Sequence, residues 1–97
     1  MSTQKDVIKI SGSIFHYNEM EKYAMEHDYQ IFLLPYRIEP SGQRTHFIVQ
    51  QLHLSQIMLS DYVLVWNQDQ TLTKDMESEI EYAKFLKKQI FYKEEWE

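Results

Sequence analysis

Four groups along the chain are of types and spacings that can do chemistry. Ser11-Gly12-Ser13 offers backbone N–H groups and two hydroxyls between an apolar run and a helix start. That suits a phosphate or ribose oxygen, or else is an ordinary strand-to-helix turn. Asn67 follows the apolar run Tyr62–Trp66; its amide can read a base edge or a ribose, or can serve as a turn residue. Glu79 lies about 60° round a helical wheel from the stripe centred on Met76 and Ala83, with Tyr82 and Leu86 beside it. A carboxylate at such an apolar edge can attack an anomeric carbon or bind sugar hydroxyls. The alternative is a solvated acid favoured near a helix N-terminus. His53, between Leu52 and Leu54, reads as a partly buried, satisfied histidine. His16, His27 and His46 have no metal-ligand spacing and there is no cysteine, so neither a metal site nor a thiol nucleophile is expected. No cofactor motif and no nucleophile elbow is present.

The elements that must position these groups alternate. Residues 7–10 form a short β-branched run closed by Ser11-Gly12-Ser13, and predict a buried strand. Asn18, with Glu21 three positions on, predicts a capped helix over 19–27. Residues 30–34 read as a second strand, stopped by Pro35. Residues 35–45, with both prolines and Gly42, form the longest predicted loop. A second helix is expected over 45–59, a third strand over 62–66, a polar loop over 67–73, a third helix over 75–88, and a last strand over 89–92. Strands apolar on both faces alternating with helices indicate a parallel sheet covered on both sides. The expected fold is therefore α/β, a single domain over 1–97, with a four-stranded, doubly wound parallel sheet in order 2-1-3-4. Ligand crevices in such sheets open where strand order reverses, here between Ser11-Gly12-Ser13 and Trp66-Asn67.

Composition narrows the function classes. Ten Lys and Arg against fifteen Asp and Glu leave a net charge of −5, which argues against duplex nucleic acid as a partner. Lys84, Lys87 and Lys88 sit among acids and read as a solvated helix face. No run approaches the ~20 apolar residues of a membrane span, and residues 1–6 lack a signal peptide's apolar stretch. A cytoplasmic protein is the expectation.

With these residues placed, the chain resembles the small nucleoside 2-deoxyribosyltransferase-like proteins. The resemblance begins at Ile10-Ser11-Gly12-Ser13. It runs from Leu52-His53 through Ile57, Ser60-Asp61 and Asn67 to Ser78-Glu79-Ile80-Glu81-Tyr82-Ala83-Lys84, then Lys88 and Tyr92. It implies a flavodoxin-like fold and a pocket for a nucleoside or nucleotide. Glu79 matches the glutamate that attacks the anomeric carbon in the transferases. Tyr82 would wall the sugar pocket, and Asn67 with Ser11, Gly12 and Ser13 would line the crevice. His53 matches a histidine of the small relatives.

The chain also departs from the pattern. The loop before Glu79 has no glycine; Asp75 stands at the glycine position, Thr73 at that of an acid, and Lys9 where a tyrosine is expected. Asp69 or Asp75 would have to replace the missing acid, a group normally worth ~10²–10⁴-fold in rate. The resemblance thus implies a ribosyl-metabolite binder with a degenerate active site, a sensor or sponge. One alternative is an active N-glycoside hydrolase or deoxyribosyltransferase using Glu79. The other is a homodimeric or higher-order interaction module burying Tyr36, Phe85, Tyr92 and Trp96.

Overall fold

The computed structural model describes residues 6–36 and 42–94, with only the backbone over 43–46. Trp96 and residues 37–41 of the expected 35–45 loop lie outside the described residues, and the helix that follows starts at Gln43, inside that expected loop. Four strands, β1 (Val7–Gly12), β2 (Ile31–Leu33), β3 (Tyr62–Trp66) and β4 (Gln89–Tyr92), form one parallel sheet in order β2-β1-β3-β4. Three helices, α1 (Tyr17–Glu26), α2 (Gln43–Leu59) and α3 (Lys74–Phe85), connect them. The α/β fold and its doubly wound strand order are those expected from the sequence.

The strand alternation sorts the core into two layers. Ile10 and Trp66 face α1 and pack on Met20, with Tyr17, Tyr23 and Phe32 around them. Val63 and Val65 face the other way, against Ile57 of α2 and Met76, Ile80 and Ala83 of α3. Gly12 belongs to the first layer for a steric reason. A methyl group there would meet Met20 Sδ at 2.7 Å and Trp66 Cβ at 2.9 Å. The glycine lets α1 approach the sheet, the close helix–strand packing that such turns require.

Helix boundaries differ from the sequence reading at three places. Ser13 caps a short 3₁₀ turn (Ile14–His16) by accepting from the Phe15 N–H, and the turn runs directly into α1. Asn18 is therefore inside the helix rather than its cap, and α1 has no side-chain cap bond. A 3₁₀ turn (Gln68–Gln70) occupies part of the expected loop. Thr73 caps α3 by accepting from the Met76 N–H at 3.1 Å, and α3 ends at Phe85 because Lys87 takes the left-handed conformation, φ 59°. Lys88 is not part of a solvated helix face: its ammonium donates to the Ser60 and Met58 carbonyls at 2.7 and 3.2 Å, satisfying the end of α2. Asp61 is likewise a clamp, its carboxylate accepting from the Val7 N–H at 2.7 Å.

Candidate functional site

Beneath α2 and α3 the sheet carries a buried polar cluster. Lys9 and Ser11 point from β1 into this layer, where alternation would otherwise place apolar side chains. Both are fully buried, and Glu79 of α3 is 3% exposed. Lys9 Nζ donates to Gln56 Oε1 at 2.6 Å and lies 3.9 Å from Glu79 Oε1. On the other carboxylate oxygen, His53 Nδ1 lies 3.9 Å from Glu79 Oε2.

The cluster fastens the segment that follows β2. Gln56 Nε2 donates to the Leu34 carbonyl at 3.1 Å, and the Tyr36 N–H donates to His53 Nε2 at 3.1 Å. The Tyr36 ring also stacks on the imidazole, 5.5 Å between centroids. Leu34 and Tyr36 are thus tied to the two ends of one chain of groups: the half-buried Gln56 and the buried Lys9, Glu79 and His53.

Burial sets the protonation of these groups. It pushes the Glu79 carboxyl up to about 7, against the opposing charge of Lys9. The Ser11 hydroxyl favours the carboxylate and Asp75 opposes it; Ser11 Oγ nevertheless makes no hydrogen bond of good geometry. Burial lowers the Lys9 ammonium, and Glu79 partly restores it. His53 is lowered to about 4 by burial and by Lys9, so its ring is neutral near pH 7. Because Nε2 accepts from Tyr36, the ring proton sits on Nδ1, the nitrogen that faces Glu79.

A groove of about 870 Å³ runs beside the first half of α3, against α2. Gln50, Leu54, Lys74, Asp75, Ser78 and Tyr82 are among its walls. Gln50 Nε2 is buried there with no hydrogen-bond partner. Glu79 lies one layer below and does not line the groove.

The structure distributes the sequence-predicted residues over three places. Ser11, His53 and Glu79 meet in the buried cluster. Asp75 and Tyr82 line the groove above it. Gly12, Ser13, Asn67 and Asp69 lie outside both, and each has a visible structural task or position. Gly12 and Ser13 shape the turn into α1. The Asn67 amide is fully engaged, its Nδ2 donating to the Glu94 carbonyl and its Oδ1 accepting from the Glu94 N–H, both at 2.8 Å. It splices the chain beyond β4 onto the end of β3. Asp69 is exposed at φ 56° beside a different cleft, next to Trp66 and α1.

Sequence reasoning missed Lys9, Gln56 and Tyr36 in and around the cluster, and Gln50 in the groove. The one available signal was a lysine inside an otherwise β-branched strand. Among the described residues, no group of three His, Asp or Glu side chains could hold a metal ion, and no helix is long and apolar enough to cross a membrane. Compared with known proteins, the chain matches no family model and no curated protein sequence.

Proposed function

We propose that this chain is a small-molecule binding module for a nucleoside, nucleotide or related ribosyl metabolite, with little or no turnover. The observation that carries the reading is the α2–α3 groove above a buried Lys9–Glu79–His53 cluster. Its walls offer what a polyhydroxylated, partly aromatic ligand needs: the hydroxyl of Ser78, the carboxylate of Asp75, and the faces of Tyr82 and Leu54. The low turnover follows from Glu79. Its carboxylate is closed off from the groove and close to an ammonium, and its proton affinity is raised, all of which oppose nucleophilic attack.

The test is a thermal-shift screen against adenosine, AMP and ADP-ribose at millimolar concentration. A ligand present at 100 times its Kd stabilises the folded state by about 2.7 kcal/mol, a readily measured rise in Tm. No shift with any of them removes the reading. Release of free base that disappears in Glu79→Gln would replace it with the glycosidase reading.

We also propose that the chain self-associates. Large apolar side chains, Phe47 and Leu59 of α2 among them, stand well exposed on the single chain. Light scattering over a concentration series checks this directly.

A further inference from the structure

Helix α2 is apolar on two opposite sides. Its inner side supplies His53, Leu54 and Ile57 to the cluster and core. Its outer side carries Phe47, Ile48, Leu52, Met58 and Leu59, which are 63, 48, 40, 55 and 70% exposed. Residues 47–60 contain no Asp, Glu, Lys or Arg, and their one ionisable side chain, His53, is buried. A helix that meets water on its outer side ordinarily places charge there.

The outer stripe is also ordered. Ile48, Leu52, Ser55 and Leu59 are spaced by four, three and four residues, the 3.5-residue repeat of a helix–helix seam. They span roughly 17 Å at 1.5 Å per residue. The pattern is self-complementary about a two-fold axis crossing the helix between His53 and Leu54. Antiparallel pairing of two copies sets Ile48 opposite Leu59 of the second copy. It sets the large Leu52 opposite the small Ser55. No charge opposes a like charge along the seam.

We infer that α2 is a homodimerisation surface, two copies pairing antiparallel along Ile48, Leu52, Ser55 and Leu59. This deepens the self-association proposed above by naming its surface and register. A single helix pair falls at the small end of specific interfaces, so the dimer dissociates on dilution.

Sedimentation equilibrium from about 1 to 500 μM tests it. The wild-type chain should follow a monomer–dimer equilibrium. Leu52→Glu, at an exposed position where circular dichroism should show an unchanged fold, should weaken dimerisation roughly tenfold or more. The register has its own test, because the chain has no cysteine. Oxidised Leu52→Cys/Ser55→Cys should form a disulfide-linked dimer readily, and Glu21→Cys on exposed α1 should not. A wild-type chain that stays monomeric at ~500 μM overturns both self-association and this surface. A dimer untouched by Leu52→Glu, or cross-linked no better than the Glu21→Cys control, overturns the α2 surface and leaves self-association standing.

Discussion

Replacing Lys9 and Glu79 singly and together should give opposite results. Removing one member of a buried pair leaves an uncompensated charge, at a typical cost of about 3–5 kcal/mol. The structure sets where in that range the singles fall. Glu79 already sits at about 7 rather than 4.5 with Lys9 beside it, a residual penalty on the order of 3 kcal/mol. In Lys9→Met the carboxyl therefore takes up a proton at neutral pH and limits the loss, placing this variant near 3 kcal/mol. In Glu79→Leu the ammonium retains Gln56 but loses its counter-charge and is driven further towards the neutral amine. The double variant Lys9→Met/Glu79→Leu removes both charges and fills similar volume. It should match the wild type or exceed it by up to about 4 kcal/mol. Urea unfolding of the four proteins at pH 7, read as midpoints at constant m, measures all these quantities. A double variant destabilised by the sum of the two singles would refute the reasoning, because it would mean that the pair has no coupling and that packing alone sets the cost.

Three further outcomes are expected. The pair should give a stability minimum between about pH 7 and 8. Glu79 is raised in the folded state, so its contribution is present below 4.5 and lost as pH rises through about 7. Lys9 is lowered, so stability returns as pH climbs from about 8 towards 10.5; subtracting the double variant's pH profile isolates both limbs. Gly12→Ala should cost about 1–3 kcal/mol in urea unfolding, since Met20 can yield but the Cβ of Trp66 is anchored to β3. Asn67→Ala should cost about 1–3 kcal/mol through two orphaned backbone groups of Glu94. It should also speed exchange of the Glu94 amide while leaving ligand binding unchanged.

The fold was legible because its signals are local. Tyr62–Trp66 is apolar on both faces, and turn residues close each strand, so a parallel sheet between helices is nearly forced. Helix ends were less legible where two turns compete: Ser13 starts a 3₁₀ turn before Asn18 can cap anything. The site was only half legible. Glu79 stood out as an acid on an apolar edge, and it is indeed buried. Lys9 did not, because its partners Gln56 and Glu79 are supplied by α2 and α3, far along the chain, and no local pattern reports such an encounter. Asn67 shows the converse: a residue at a strand's carboxyl end has the same sequence signature whether it faces a ligand or, as here, holds Glu94. The apolar residues of α2 marked a helix correctly, but without a partner in view they could not be divided between core and outer stripe.

The central functional claim is that the groove between α2 and α3 takes a ribosyl ligand. Its most direct test is a ¹⁵N–¹H titration of the chain with ADP-ribose, AMP and adenosine to millimolar concentration. The expected result is saturable shifts centred on Gln50, Asp75, Ser78 and Tyr82, with Asn67 and Glu94 unmoved. Shifts centred instead on Asn67, Asp69 and the β1–α1 turn, or none with any of the three, would contradict it.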